Sequence, residues 1–353
     1  MWGGDEWRRG KFFARACFPV WKSTYRLCWP AGWKRRRGRE EPVEAEELRR
    51  KLRGIIPPMV TPFTAEEEVD EAALRREVQF FLGCGVHGLA PTGSTGEGAT
   101  LTPEECERVW RVVVEEVNGQ VPVLAGIISD STREAVAYGQ RARAAGADAL
   151  MVTPIHYYVP TEEGLYRFYR DLGETVGLPI VIYNVVEKAT VRPELAQRLA
   201  DLPLVVGIKQ SGGDMHGLAD MLRLIGDRLA ILTAIDDLLF PSFVLGAQGA
   251  IAAILTVWPQ TCVALWEAVQ GGRYDEARRL HERLLPLVRA ILGVNFPAAV
   301  RAALEILGRP VGPPRRPLVP LSPAEREHLS TLLTAPPGGG REEALWSQGL
   351  RPR

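Results

Sequence analysis

The chain has 353 residues, of which 46% are apolar and 24% charged, a balance typical of a globular protein with a full hydrophobic core. The formal net charge is zero, but eleven basic and three acidic residues lie within positions 1–40, which leaves 32 basic and 40 acidic residues, a net charge of −8, in the remainder. An acidic body argues against nucleic acid as the main partner, and the absence of any run of 18 apolar residues argues against a membrane span.

The first 50 residues predict a basic N-terminal extension that lies outside the folded domain and is disordered. Arg15, Lys22 and Arg26 interrupt its apolar residues, so that no stretch has the continuity of a signal peptide. The five cysteines of the chain are scattered, odd in number and include no C-x-x-C motif, as expected in a reducing compartment. We therefore expect a cytoplasmic protein.

The middle of the chain repeats one pattern, in which a helical segment and a polar turn precede a short apolar run. The eight apolar runs predict strands that begin near residues 54, 88, 122, 149, 179, 204, 230 and 249. Their spacing leaves room for one crossover helix per step, which is what a parallel sheet requires.

Two of the intervening segments carry clear helix signals. The segment DEAALRREVQFFLG has a predicted N-cap at Asp70, and TPEECERVWRVVVEEV begins with a capping-box pattern from Thr102 to Glu105. The apolar face of the first of these helices comprises Leu74, Val78, Phe81 and Leu82. Both segments predict amphipathic helices packed against a sheet.

The repeated strand and helix units predict an α/β fold, a (β/α)8 TIM barrel over residues 51–335. From about residue 259 the pattern changes to three helices up to residue 308, which indicates a helical C-terminal extension. The alternative is a doubly wound sheet, which is disfavoured because no G-x-G-x-x-G motif follows the first strand. Residues 336–353 predict a disordered tail.

Candidate functional residues lie where predicted strands end. Lys209 ends the run VVGIKQ and is one of only six lysines among 43 basic residues, whereas Tyr183 ends the preceding run IVIYN. The loop at residues 92–98, TGSTGEG, offers backbone N–H groups and hydroxyls to an anion, and TPIHYYVPT brings Tyr157 and Tyr158 to the same face. In a TIM barrel such side chains converge at one end, where the active site forms.

These residue types suit capture of a 2-oxo acid as an iminium on lysine, because a desolvated lysine can act as a neutral amine nucleophile. Each feature alone also has an ordinary structural explanation, as a solvated charge, a core aromatic or a plain turn. The five histidines show no metal-ligand spacing, and Asp236 and Asp237 are typical of the start of a helix. We therefore expect no metal and no cofactor.

The motifs GSTGE, TPIHYYVPTEEGLYRFY, IYNV and GIKQS, in this order between about residues 53 and 333, resemble the dihydrodipicolinate synthase/N-acetylneuraminate lyase family of class I aldolases. The resemblance implies a TIM barrel with a helical C-terminal extension and a homotetramer built as a dimer of dimers. It implies that Lys209 is the Schiff-base lysine and Tyr183 the proton-transferring phenol.

The same resemblance implies further site residues. Ser94 and Thr95 match the loop that binds the carboxylate of pyruvate, and Gly96 and Ile251 complete that substrate site. Tyr157 matches the tyrosine that completes a proton relay across the subunit interface, and an inserted residue leaves Tyr158 as the alternative.

The sequence departs from the synthases of this family after Tyr183, where they carry an arginine that binds the carboxylate of aspartate semialdehyde. Residues 186–190 read VEKAT, which puts Lys188 at the position of that arginine. A lysine keeps the positive charge but loses the planar bidentate contact. Ala234 and Ala252 also stand where glycine and serine are common in the family, so the pocket for the second substrate differs.

We therefore predict a cytoplasmic, cofactor-free Schiff-base aldolase or lyase that acts on pyruvate or a related 2-oxo acid and on an aldehyde. The alternatives are 4-hydroxy-tetrahydrodipicolinate synthase activity proper, a 2-oxo-3-deoxy sugar-acid dehydratase that uses the same lysine, and a non-catalytic sensor that binds oxo acids.

Overall fold

A computed structural model of the chain describes residues 41–212, 214–293 and 295–334, and the predictions for the head before residue 41 and for the tail at 336–353 lie outside this range. The strands are β1 (Gly54–Ile55), β2 (Leu124–Ile127), β3 (Ala149–Val152), β4 (Ile180–Asn184), β5 (Val205–Gln210), β6 (Ala230–Thr233) and β7 (Gly249–Ala250). The helices are α1 (Glu41–Lys51), α2 (Glu71–Gly83), α3 (Pro103–Val117), α4 (Thr132–Ala145), α5 (Glu162–Val176), α6 (Pro193–Leu199), α7 (Met215–Ile225), α8 (Leu239–Leu245), α9 (Ile254–Val257), α10 (Pro259–Gln270), α11 (Tyr274–Ile291), α12 (Phe296–Ile306) and α13 (Pro323–Thr334).

The strands form one parallel sheet in the order β1-β7-β6-β5-β4-β3-β2. A short segment at residues 89–90 lies between β1 and β2 and joins the two ends of this sheet. On one side of this segment Ala90 donates its backbone N–H to the carbonyl of Pro57 at 3.0 Å, and on the other Leu124 donates to the carbonyl of Leu89 at 2.8 Å. The segment is the second predicted strand, reduced to two bridges because Pro91 has no N–H to continue the ladder. The predicted TIM barrel is confirmed.

The helices begin where the sequence indicates. The Asp70 carboxylate accepts the backbone N–H of Ala73 at 2.9 Å, and the Thr102 hydroxyl accepts that of Glu105 at 3.2 Å in the predicted capping box. Phe81 on α2 is fully buried, as the apolar periodicity of this helix predicts. These two helices thus begin at the predicted caps and bury their apolar faces in the hydrophobic core.

Helix α1 closes the barrel at the amino end of its strands. Its Leu48, together with Leu52 just beyond the helix, packs with interior residues of the barrel that include Leu124 and Leu232. Residues 41–50, which were predicted to belong to the N-terminal extension, form most of helix α1, because Ala45 and Leu48 pack against the interior of the barrel. Among the helices of the described residues, none combines the length and apolarity that crossing a lipid bilayer requires.

The C-terminal extension consists of α10 to α13, and α10 begins at residue 259 as predicted. Two arginines with little exposure to solvent attach this extension to the barrel. The buried Arg301 on α12 pairs with Glu97 at 2.5 Å, and the largely buried Arg309 pairs with Glu77 on α2 at the same distance. The extension is therefore tied to the barrel at two separate points by ion pairs.

Candidate active site

Lys209 and Tyr183 lie side by side at the carboxyl ends of β5 and β4, where the two residues pair in register. Both side chains are buried, and the Lys209 Nζ lies 3.7 Å from the centroid of the Tyr183 ring. Within the part of the chain that the structure describes, no carboxylate forms an ion pair with Lys209. The amine is thus buried against an aromatic face, an environment that is costly for a lysine without a functional reason.

The loop at residues 92–98 reaches this pair through a hydroxyl. The Ser94 Oγ lies 3.1 Å from the Tyr183 hydroxyl, which places the loop beside the phenol. The backbone N–H groups of Gly96 and Gly98 bond to the Gly93 carbonyl inside the loop, but no described residue accepts those of Ser94 and Thr95. These free N–H groups are the donors that an anion site provides.

The shape of the loop depends on its last glycine. A Cβ at Gly98 would lie 1.9 Å from the carbonyl oxygen of Thr92, so only glycine allows the chain to fold back at this point. Thr92 itself is held by its hydroxyl, which donates to the Gly126 carbonyl and accepts from the indole N–H of Trp110. The loop is therefore fixed in position without any help from a ligand.

A cavity of about 260 Å³ opens between these groups. Its lining includes Thr95, Tyr183, Lys209, Asp236, Asp237 and Ile251. The volume is below the range of about 300–1,000 Å³ that is typical of pockets for drug-sized ligands, so it suits a small acid rather than a nucleotide or a peptide. The cavity thus joins an amine, a phenol and a loop with free backbone N–H groups in one small space.

Most of the predicted site residues are brought together here. Lys209, Tyr183, Thr95 and Ile251 line the cavity, and Ser94 contacts it through the Tyr183 hydroxyl. Gly96 belongs to the loop but does not line the cavity, and its carbonyl accepts the Thr61 hydroxyl at 2.7 Å.

Tyr157 does not line the cavity. Its side chain is 74% exposed and stacks edge-on against Tyr158, which is also exposed. The Asp130 carboxylate accepts the backbone N–H groups of His156 and Tyr157, each at 2.9 Å, and so holds this segment against the end of β2. The two tyrosines form an exposed aromatic pair at the same end of the barrel.

Lys188 is exposed on a single turn of 3-10 helix, Glu187–Ala189, and does not line the cavity. The loop that carries it is anchored by Asn184 at the end of β4. The Asn184 side chain donates to the Val191 carbonyl at 2.9 Å and to the Gln210 side chain at 2.8 Å, and it accepts the Val191 N–H at 2.8 Å. These bonds hold both ends of the loop, so Lys188 is carried on a short anchored segment outside the cavity.

Asp236 is a cavity residue that the sequence did not predict as functional, because Asp236 and Asp237 are typical of the start of a helix. The signal that could have identified them is their position shortly after the end of β6. The Asp236 carboxylate is buried and accepts the backbone N–H of Ile254 at 2.6 Å. Burial raises the pKa of Asp236 to about 6, and the Ile254 N–H and the charge of Lys209 only partly offset this effect.

Replacing Asp236 with asparagine is expected to remove a pH-dependent loss of stability. The pKa of Asp236 is higher in the folded than in the unfolded chain, so the free energy of unfolding falls as pH rises from about 4 to about 6 and the buried carboxyl ionises. Asp236→Asn cannot ionise, yet its side-chain oxygen can still accept the Ile254 N–H. Urea unfolding at several pH values should show the variant gaining stability relative to the wild type across this range. A difference that stays constant with pH would contradict the prediction.

Comparison with known proteins identifies relatives over most of the chain. The model of the family described as the dihydrodipicolinate synthetase family matches residues 51–336. One curated relative, the 4-hydroxy-tetrahydrodipicolinate synthase of Syntrophobacter fumaroxidans, is 39% identical over 288 residues, which cover 80% of this chain and 98% of the relative.

Solved structures with the same fold include dihydrodipicolinate synthase from Aquifex aeolicus, with a TM-score of 0.76 and 31% identity over 80% of this chain and 97% of that one. They also include YagE of Escherichia coli K12, a prophage protein of the dihydrodipicolinic acid synthase family that was solved in complex with pyruvate. YagE has a TM-score of 0.77 and 31% identity, again over 80% of this chain and 97% of that one.

Proposed function

This chain belongs to the dihydrodipicolinate synthetase family, and on that premise we propose that Lys209 forms an iminium with pyruvate or a related 2-oxo acid. The family consists of class I aldolases, so the chain is a lyase of the pyruvate-dependent type that makes or breaks a carbon–carbon bond to an aldehyde. The observation that carries the proposal is the buried Lys209 amine, which lies against Tyr183 in a cavity bounded by an anion-binding loop.

The proposed reaction starts with addition of the neutral Lys209 Nζ to the C2 carbonyl of the oxo acid, and loss of water gives the iminium. A proton then leaves C3, and the resulting enamine attacks the carbonyl carbon of the aldehyde to form the new bond. Water adds to the iminium carbon, and the product leaves as the amine is restored. Cleavage follows the same steps in reverse.

Tyr183 is the proposed proton carrier in these steps, because its ring lies against the amine and its hydroxyl contacts the loop. It can take a proton from the attacking amine and return one to the departing water, with Ser94 as the hydrogen-bond partner that orients it. The free N–H groups of Ser94 and Thr95 would hold the substrate carboxylate, which fixes C2 next to Nζ.

The second substrate is proposed to be an aldehyde derived from a sugar acid or a short carboxylated aldehyde. 4-Hydroxy-tetrahydrodipicolinate synthase activity is a second candidate, which the names of the curated relatives favour. Lys188 at the position of the carboxylate-binding arginine argues against it, because a lysine lacks the bidentate contact. A dehydratase acting through the same lysine would release no pyruvate from a 2-oxo-3-deoxy sugar acid, which separates it from a cleaving enzyme.

Replacing Lys188 with methionine is expected to weaken binding of a carboxylated aldehyde and to spare binding of pyruvate. Lys188 is exposed, so its charge is screened and the KM for such an aldehyde should rise by only about 3–10-fold. Steady-state kinetics with matched aldehydes that do or do not carry a carboxylate measure the effect, and Lys188→Arg serves as the control that keeps the charge. An equal rise in KM for both aldehydes would rule out a carboxylate contact.

We also propose that the protein is a cytoplasmic homotetramer, a dimer of dimers. The exposed aromatic pair Tyr157 and Tyr158, with the exposed Val159 beside it, provides an apolar surface that suits contact with a second copy. In such a dimer Tyr157 of one copy would reach the cavity of its neighbour and extend the proton relay there.

The iminium is tested by incubating the protein with pyruvate, reducing with borohydride and recording the intact mass and the modified peptide. One stable adduct on Lys209 is the expected result. An adduct with a larger 2-oxo acid but none with pyruvate would support the iminium mechanism and identify that acid, rather than pyruvate, as the substrate of Lys209. No adduct with any oxo acid, together with binding of pyruvate that survives loss of Lys209, would favour the sensor.

A further inference from the structure

Glu97 is the penultimate residue of the proposed anion-binding loop at residues 92–98, and its carboxylate is hydrogen-bonded to residues of the C-terminal extension. Its buried carboxylate accepts the Arg301 Nε–H at 2.5 Å and the backbone N–H of Arg315 at 2.9 Å. Arg301 also donates to the carbonyls of Thr61 at 2.6 Å and Val311 at 2.9 Å, and its side chain is only 2% exposed. The ion pair therefore joins residues 204 positions apart in sequence and is supported by further hydrogen bonds to backbone carbonyls.

The backbone at Glu97 needs such support. Its φ of 54° lies in the left-handed region, which a residue other than glycine adopts at a cost in energy. The Glu97 N–H donates to the Ser94 carbonyl at 3.1 Å, and the Ser94 hydroxyl in turn meets that of Tyr183. A continuous series of hydrogen bonds thus leads from Arg301 through Glu97 and Ser94 to the proposed proton carrier.

We propose that Glu97 and Arg301 are positioning residues for the 2-oxo acid, so that the C-terminal helices set the affinity of the carboxylate-binding loop. This inference rests on the proposed function, because it assigns the loop N–H groups of Ser94 and Thr95 to the substrate carboxylate. Neither residue touches the reacting atoms. Their effect is on the geometry of the loop and hence on binding of the oxo acid in both the ground and the transition state.

The chain offers a matched control in its second buried ion pair. Arg309 and Glu77 also join the extension to the barrel, with 9% and 5% of their side chains exposed. Glu77 lies on α2 in the outer layer, however, and neither partner contacts the loop at residues 92–98. Loss of this pair therefore reports the effect of a broken buried ion pair on stability alone.

The test compares Glu97→Gln and Glu77→Gln with the wild type in the full-length protein. For each, the pyruvate concentration that half-saturates the borohydride-trapped adduct is measured together with kcat, KM and the melting temperature. We expect both variants to melt at lower temperature, because each leaves a buried arginine without its counter-charge. Only Glu97→Gln should raise the half-saturating concentration and the KM for pyruvate, by about tenfold, with kcat at saturation within about threefold.

Equal pyruvate half-saturation in the two variants would overturn the inference and leave a purely structural ion pair. Should Glu97→Gln fail to fold, Arg301→Lys provides the milder change, because it keeps the buried charge and removes the bonds to Thr61 and Val311. It should raise the half-saturating concentration by a smaller factor in the same direction. A wild type that forms no adduct would refute the proposed function instead, so the two failures are distinguishable.

Discussion

Lys209→Arg is expected to lower kcat by at least about 10³-fold and to abolish the trapped adduct with pyruvate. Arginine keeps the positive charge and most of the side-chain length, but its guanidinium stays protonated in proteins and cannot add to a carbonyl. The substitution therefore removes the nucleophile with little change in charge. Borohydride trapping and turnover with an aldehyde are measured on the same preparation, and circular dichroism confirms that the barrel is folded.

Lys51→Arg is the control for this experiment. Lys51 ends α1 at the opposite end of the barrel, is exposed, and pairs with Glu47 at 2.6 Å. Its replacement should leave both the adduct and kcat unchanged. A trapped adduct that persists in Lys209→Arg would place the iminium on another amine and would remove the basis of the proposed mechanism.

The fold was predictable because it depends on local patterns. The spacing of apolar runs identifies the barrel, and the rule that function lies at the carboxyl ends of strands is enough to place Lys209 beside Tyr183. The structure pairs these two residues in register across β4 and β5. The second predicted strand is a partial exception. It is reduced to two bridges at Pro91, and the periodicity of a short apolar run does not indicate how many residues of that run pair with their neighbours.

The less predictable features depend on contacts between distant parts of the chain. Glu97 and Arg301 are 204 positions apart, and nothing in the local sequence of either residue indicates the other. Asp236 is in a similar position, because its pKa is raised mainly by burial in the folded chain, and the groups that partly offset this rise, the Ile254 N–H and the charge of Lys209, are distant in sequence. Loop residues such as Lys188 follow no periodic pattern at all, so their distance from the cavity becomes visible only in three dimensions.

Tyr183→Phe is expected to lower kcat by about 10²–10⁴-fold while the protein stays folded and still captures pyruvate slowly. The variant keeps the aromatic face under the Lys209 Nζ and removes only the hydroxyl that meets Ser94, so it separates proton transfer from packing. Rates of adduct formation and of turnover are measured against Tyr169→Phe, a matched buried tyrosine on α5 whose hydroxyl donates to the Val152 carbonyl on β3 at 3.2 Å. Tyr169 does not line the cavity, so the kcat of Tyr169→Phe should equal that of the wild type. If the two variants slow turnover equally, the Tyr183 hydroxyl carries no proton. Another group in the cavity must then do so, and the buried Asp236, which lines the cavity together with Lys209, is the next candidate.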